Sequence, residues 1–279
     1  MSVPIQVSEF IRRALEEDIG NGDITTESII ISSRKSKAVV FAKQNVVVAG
    51  LDFFSEVFKQ IDNSIRVRIK VKDSERAKKG STVCEITGPT ASILKAERVA
   101  LNILQRLSGI ATFTSDIVNL VKKTGVKIVD TRKTTPCMRY MEKYAVRMGG
   151  GHNHRFGLYD GILIKDNHIK AAGGIEKAVK KIQDAHHLLN IEVEVKNIKE
   201  VKEALASGVH VIMLDNMSPS NMKKAVELIK KMNSDVIVEA SGNVTKENIR
   251  EIAATGVDLI SIGALTHSAP AADLSLKIT

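Results

Sequence analysis

The second half of the chain keeps a period. From residue 126 onward the short runs "VKIVDT", "YDGILIKD", "IEVEV", "VHVIMLD", "DVIVEASG" and "VDLISIG" read as strands. Between the later ones lie the amphipathic stretches "IKEVKEALASG", "SPSNMKKAVELIKKMN" and "TKENIREIAATG", each with a cap or a closing glycine. Glu194, Asp215, Glu239 and Ser261 recur about every 22 positions, the length of one strand, one helix and two short loops. Near-continuous apolar strands in such a series predict a parallel sheet covered by helices. Six strands are clear, and a seventh is expected between Tyr144 and Arg155. The predicted fold class is α/β, close to a (β/α) barrel.

The first 110 residues follow another pattern. Residues 8–17 read as a short capped helix, and "SKAVVFAKQNVVVAG" as extended segments. In "IRVRIKVK", Arg66, Arg68, Lys70 and Lys72 alternate with Ile65, Val67, Ile69 and Val71, which predicts a half-buried strand with one solvated cationic face. "KKGSTVCEITGP" reads as a turn and a return strand, so this part is an α+β domain. The long pattern "ASILKAERVALNILQRLSGIATFTSDIVNLVKK" predicts a linking helix interrupted at Gly109. The expected division is 1–110 and 111–270, with the tail 271–279 returning to the first domain.

Composition narrows the partners. At 279 residues and 43% hydrophobic, the chain can bury a substantial core. No stretch approaches the ~18 apolar residues of a membrane span, and the N-terminus is polar and acidic, so a soluble cytoplasmic protein without membrane contact is expected. Cys84 and Cys137 stand far apart without a CxxC partner, which predicts no disulfide framework. A net charge of +9 without a basic tail suits anionic partners, while 4% aromatics and no Trp leave few stacking platforms for nucleic acid. No nucleic-acid partner is expected.

Barrels place their chemistry at the C-terminal ends of the strands. There the sequence has Asp130, Thr131, Arg132 and Lys133, then Lys165 and Asp166, Glu194, Asp215, Ser241 and Gly242, and Gly263. Between Asp130 and His168 seven Lys/Arg and three His face four Asp/Glu, and "GGGHNHRFGLYDGILIKDNH" adds glycines that let backbone N–H groups approach a ligand. The expected ligand is small and multiply anionic. Arg139, Lys143 and Arg147, four apart, read instead as one solvated helix face. "HNH" at 152–154 has no third ligand at helical or hairpin spacing, so zinc is not expected.

The segments "EEDIGNGDITTE", "ERVALNILQRLSGIAT", "DTRKTTPCMRYMEKYAV", "GGGHNHRFGLYDGILIKDNH", "IEVEV", "MLDN", "VEASGNV" and "ISIGALTHSAPAADLSLK" together resemble the quinolinate phosphoribosyltransferases, over almost the whole chain. The resemblance implies an open seven-stranded (β/α) barrel joined to an N-terminal α+β sandwich domain. It implies phosphoribosyl transfer from 5-phosphoribosyl-1-pyrophosphate to quinolinate, with decarboxylation to nicotinate mononucleotide in NAD biosynthesis. A paralogous phosphoribosyltransferase-like protein associated with molybdate transport is the alternative. By the same resemblance Thr131, Arg132, His154 and Arg155 meet quinolinate with His168 close by, and Lys133 and Lys165 serve the dicarboxylate and the leaving pyrophosphate. Glu194 and Asp215 take the ribose and Mg²⁺ side, Lys133, Lys165, Glu194 and Asp215 being the catalytic set. Ser241, Gly242, Asn243, Gly263, Ala264 and Leu265 cradle the 5-phosphate, and Arg98 arrives from a neighbouring subunit of a homodimer with shared sites. Some family members have glycine where Asn243 stands, which leaves its side-chain role open.

Overall fold

A computed structural model describes residues 3–31, 33–186 and 188–279. The chain opens with α1 (Ile5–Ile19) and α2 (Ile24–Ile29), then β1 (Lys35–Ala42), β2 (Val46–Val47), α3 (Leu51–Ile61), β3 (Arg66–Ile69), β4 (Arg76–Ala77), β5 (Thr82–Pro89) and the long α4 (Thr90–Val121). There follow β6 (Lys127–Val129), α5 (Arg139–Met148), β7 (Ile162–Ile164), α6 (Asp166–Ala172), α7 (Ile175–Ala185), β8 (Ile191–Val195), α8 (Ile198–Ala206), β9 (Val211–Asp215) and α9 (Pro219–Met232). The chain ends through β10 (Ile237–Ser241), α10 (Ile249–Ala253), β11 (Leu259–Ser261), α11 (Ala264–His267) and β12 (Leu274–Ile278).

These elements form two compact units. One comprises Met1–Ser115, Lys133–Gly150 and Ala264–Thr279; the other comprises Asp116–Arg132 and Gly151–Gly263. Chain order and spatial unit therefore part at Lys133 and again at Ala264. In the first unit an antiparallel sheet runs β12-β1-β5-β3. Its register pairs Val39 with Lys277, Val39 with Glu85, and Arg68 with Glu85. Glu85 takes an ion pair from Lys70 at 3.0 Å, and this sheet face is solvated as its alternating cations predict. The strand itself is an edge, with Ile69 42% exposed and only Val67 half-buried between the arginines.

Three local expectations change. The first helix spans Ile5–Ile19 rather than residues 8–17 and has no side-chain cap, its buried stripe being Val7, Ile11 and Leu15. Lys143 is 2% exposed, so Arg139, Lys143 and Arg147 do not share a solvated face: α5 turns its middle inward, with Met141, Glu142, Lys143, Ala145 and Val146 all buried. Gly109 does not interrupt α4. A Cβ there would lie 2.0 Å from the Pro270 carbonyl oxygen and 3.0 Å from Ala271 Cα, so the glycine admits the returning chain against an unbroken helix.

The second unit holds six parallel strands in the order β7-β8-β9-β10-β11-β6. The expected seventh strand is reduced to one residue: His152 forms a parallel bridge to Val129 at the free side of β6. Two of the crossover helices start at a side-chain cap. The Asn197 side chain accepts the Glu200 N–H at 3.0 Å to open α8, and α9 starts at Ser218 followed by Pro219. Alternation splits β8. Glu192 and Glu194 share one face, and Ile191, Val193 and Val195 share the other, yet all five are buried. A strand of this kind needs helices on its apolar face and a matched interior on its charged face.

That interior is made by closure of the sheet. His154, two residues beyond the bridge, lies 3.1 Å from Glu192 on β8 and 3.6 Å from Glu239 on β10. In a flat sheet, His152 and β8 would be five strand spacings apart, about 24 Å. Only a sheet rolled into a barrel, left open between His152 and β7, brings them together.

Gly109→Ala should destabilise the protein by about 2–4 kcal/mol, because backbone rather than a flexible side chain occupies the Cβ position. Urea denaturation measures it. A loss below about 0.5 kcal/mol would show that the Pro270 segment yields without cost.

Candidate active site at the barrel mouth

Asp130 organises the strand ends. It follows β6, is fully buried, and accepts the Asn153 amide at 2.7 Å and the His154 backbone N–H at 2.9 Å. The glycine-rich segment after α5 is thereby tied to the end of β6. His154 Nδ1 then accepts the Arg155 N–H at 2.8 Å, and the Arg155 guanidinium donates to the Gly161 carbonyl at 3.0 Å.

His154 uses both ring nitrogens. With Nδ1 acting as an acceptor, the neutral ring carries its hydrogen on Nε2, which points at Glu192 Oε2. His154, Glu192 and Glu239 form a group of potential metal-binding side chains, their nearest ligand atoms all within 4.8 Å. The tautomer argues against a cation there, since a protonated Nε2 cannot ligate and a hydrogen on Nδ1 would meet the Arg155 N–H. The group acts instead as a hydrogen-bonded floor beneath the mouth. Glu192 Oε1 and both Glu239 oxygens are buried without a hydrogen bond. Burial first, and the Glu192 carboxylate second, push Glu239 up to about 7, against the pull of His154.

Above this floor the strand ends carry charges of both signs. Lys165, after β7, donates to Glu194 Oε2 at 2.8 Å across the β7 and β8 pair, and remains 47% exposed. Lys196 Nζ binds Asp166 Oδ2 at 2.9 Å, and this contact raises Lys196 while holding Asp166 low. Burial, followed by the nearby charge of Arg132, lowers Arg155, so two guanidiniums are held close together. Crowded like charges of this sort mark an anion site.

The remaining expected residues sit as follows. Thr131 is half-buried beside Arg132. His168 is exposed and turns back on its own helix, its Nδ1 accepting the Lys165 N–H at 3.0 Å, so in this structure it caps α6. Ser241 ends β10, Gly242 and Asn243 follow it directly, and Gly263 follows β11. Gly242 (φ 97°) and Asn243 (φ 48°) are left-handed, as is Asn216 (φ 53°) after β9. A Cβ on Gly242 would lie 2.2 Å from Asn216 Oδ1, the atom that accepts the Asn243 amide at 3.0 Å. Asn243 thus holds a backbone shape that glycine also adopts, and its side chain braces the β9 and β10 turns. Arg98, exposed on α4, and Lys133, Ala264 and Leu265 belong to the other compact unit.

Glu194 and Asp215 end neighbouring paired strands and offer hard carboxylate oxygens, Asp215 Oδ1 also accepting the Asn216 amide at 2.9 Å. One or two carboxylates completed by phosphate and water are what Mg²⁺ takes, so this donor set fits the ion. Asp130, Asn153, Glu192, Glu239 and Lys196 were not among the expected site residues. The alternation in "IEVEV" and the periodic position of Glu239 were the available signals for two of them.

The raised pKa of Glu239 sets a pH dependence. Below about 4.5 the carboxyl is protonated in both the folded and the unfolded chain; between 4.5 and about 7 the unfolded chain releases its proton first, so stability falls as pH rises through that window. Glu239→Gln should lack this loss and melt higher than wild type at pH 8, by an amount worth about 1–3 kcal/mol. Calorimetric melts from pH 4 to 8 measure it, and identical slopes for the two proteins would mean that Glu239 ionises as freely as a surface carboxyl.

Among known proteins, the family models for the quinolinate phosphoribosyl transferase N-terminal and C-terminal domains match residues 23–108 and 110–277. A protein of Bacillus subtilis named probable nicotinate-nucleotide pyrophosphorylase [carboxylating] is 44% identical over 276 residues, covering 99% of this chain and 94% of that protein. The solved nicotinate-nucleotide pyrophosphorylase of Francisella tularensis is 41% identical and superposes with a TM-score of 0.95, covering 100% of this chain and 98% of that one. The Ehrlichia chaffeensis enzyme is 42% identical with a TM-score of 0.94, over 100% of both chains. With both domains and nearly every residue matched, the chain belongs to the quinolinate phosphoribosyltransferase family.

Proposed function

We propose that this protein transfers the phosphoribosyl group of 5-phosphoribosyl-1-pyrophosphate to quinolinate and decarboxylates the product to nicotinate mononucleotide, a step of NAD biosynthesis. The observation that carries this reading to particular residues is the barrel mouth, where Lys165 is held at Glu194, Arg155 feels the charge of Arg132, and Asp215 ends the neighbouring strand. A pyridine dicarboxylate and a pyrophosphate bring the anions that such cations recognise. Nothing in the fold or the site favours the molybdate-transport alternative.

The chemistry follows from the charge placement. The quinolinate nitrogen bonds to ribose C1 as the C1–oxygen bond to pyrophosphate breaks, and C1 passes through an oxocarbenium-like state. Glu194 and Asp215 supply negative charge for that state, as carboxylates do in glycoside hydrolysis. Lys165, held at Glu194, takes the developing charge of the leaving pyrophosphate. The ring nitrogen is then positive and stabilises the electron pair left on the adjacent carbon when CO₂ departs, and a proton completes the product. Arg132 and Arg155 orient the dicarboxylate, His154 holds the Arg155 backbone in place beside it, and Lys133, next in the chain after Arg132, adds charge. Ser241, Gly242, Asn243, Gly263, Ala264 and Leu265 form the 5-phosphate loops. Glu194 and Asp215 would hold Mg²⁺ with the pyrophosphate, where the ion neutralises leaving-group charge. A cytoplasmic location goes with these substrates, since multiply charged phosphorylated molecules do not cross membranes unaided.

Release of labelled CO₂ from quinolinate, dependent on phosphoribosyl pyrophosphate, tests the reading. Lys165→Ala should lower kcat/KM at least about a hundredfold without changing the fold, because it removes a charge that acts in the transition state. No CO₂ release by the wild type would refute the activity, and full turnover by the variant would refute the role of Lys165.

The same reading makes the protein a homodimer in which Arg98 serves the partner's barrel. Arg98→Ala and Lys133→Ala, each reduced to a slow residual turnover alone, should then complement each other once subunits exchange. About half of the dimers would be mixed with one working site each, restoring roughly a quarter of wild-type activity. No recovery, with exchange verified by native mass spectrometry, would refute the shared site.

A further inference from the structure

A buried ion pair in the first unit has no place in the reaction described above. Arg106, on α4, and Glu142, on α5, meet through Arg106 Nε at 3.1 Å and Nη2 at 2.9 Å from Glu142 Oε1. Glu142 is fully buried, and Arg106 is 25% exposed. Neither residue spends its remaining capacity on solvent. Glu142 Oε1 also accepts the Thr135 hydroxyl at 2.8 Å, and Oε2 accepts the Thr135 backbone N–H at 3.0 Å. Arg106 donates to the Ala269 carbonyl at 3.0 Å and to the Thr266 carbonyl. Thr266, itself fully buried, donates its hydroxyl to the carbonyl of Lys133 at 2.8 Å.

One guanidinium and one carboxylate therefore join four pieces of chain: two helices, the loop 133–135, and the segment 264–269. The loop lies outside the helices and strands; the Thr135 carbonyl accepts the Met138 N–H at 3.1 Å, and the Arg139 guanidinium donates to the Thr134 hydroxyl at 3.0 Å. Lys133 is exposed while its backbone carbonyl is held by a buried hydroxyl, an arrangement that fixes where its side chain starts. A buried ion pair adds little net stability over apolar residues of the same size. What it provides here is a defined geometry for two irregular segments.

We propose that Arg106, Glu142 and Thr266 are positioning residues for phosphoribosyl transfer, bracing the backbone of Lys133 and the start of the Ala264–Leu265 segment through one hydrogen-bonded network. This rests on the reading of Lys133, Ala264 and Leu265 as site residues. The brace acts through Lys133 and touches no substrate. A displacement of about 1 Å at such a group costs on the order of a hundredfold in rate.

Thr266→Val, which removes the hydroxyl on the Lys133 carbonyl, and Thr135→Val, an exposed position whose backbone N–H to Glu142 survives, test the brace. Each should lower kcat about tenfold or more, with KM for both substrates within about threefold of wild type. In a Lys133→Ala background, with slow turnover followed by labelled CO₂, neither should lower kcat further. Arg106→Met combined with Glu142→Leu should melt close to wild type and still turn over slowly. Losses that add to that of Lys133→Ala, or a double variant that recovers turnover along with stability, would overturn the proposal. Wild-type turnover by Lys133→Ala alone would overturn the reading of Lys133, and the proposal with it.

Discussion

A charge on the inside of a closed sheet has to be answered from another strand, because no water reaches it cheaply and its own strand offers only the next inward side chain two residues on. The barrel of this protein obeys that constraint at one group: His154 answers Glu192 from β8 and Glu239 from β10. Burial first, and the presence of two carboxylates facing one imidazole second, raise the pKa of Glu239. Closure of the sheet, the tautomer of His154 and the direction of the Arg155 backbone all depend on this contact, since Nε2 is committed downward and Nδ1 is free to receive the Arg155 N–H.

The floor separates charges that face one another inside the closed sheet from those at the mouth, which stand closer to solvent. Arg132 and Arg155 are held near each other, and Lys165 is half-exposed even while bound to Glu194. The turns after β9 and β10 use backbone rather than charge. Left-handed Asn216, Gly242 and Asn243 are locked to one another by amide hydrogen bonds, which gives a stiff concave turn from a polar, glycine-bearing sequence. In the first unit the same economy takes another form, where the Arg106 and Glu142 pair bonds to itself and to neighbouring backbone and the Thr135 hydroxyl.

Much of this was legible in the order of residues. Strand and helix periods are local, so the βα rhythm after residue 126 foretold six parallel strands, and the window around Tyr144–Arg155 contained the seventh, though it shrank to His152 alone. Charges at strand ends follow the same logic, because residue type and position in a period are enough to bring Arg132, Lys165, Glu194 and Asp215 to one end of a barrel. The cationic alternation of Arg66 and Arg68 likewise announced a solvated sheet face.

What local pattern could not show were contacts whose partners lie far apart in the chain. Gly109 read as a helix breaker because glycine weakens helices, but the arrival of Pro270 against α4 made it the one residue that fits. Lys143 read as solvated because four-residue spacing marks one helix face, yet which face turns inward is decided by what packs there. Glu192 and Glu239 read as ordinary strand residues until closure placed them under His154, and nothing local marked Glu142 as the partner of Arg106 and Thr135. The sequence determined by itself the elements, their order and the residues at the strand ends, because propensity and periodicity act over a few positions. The tertiary structure alone decided which charges are spent on one another and which remain for a ligand, because pairing and burial are set across the whole sheet and the helices that cover it.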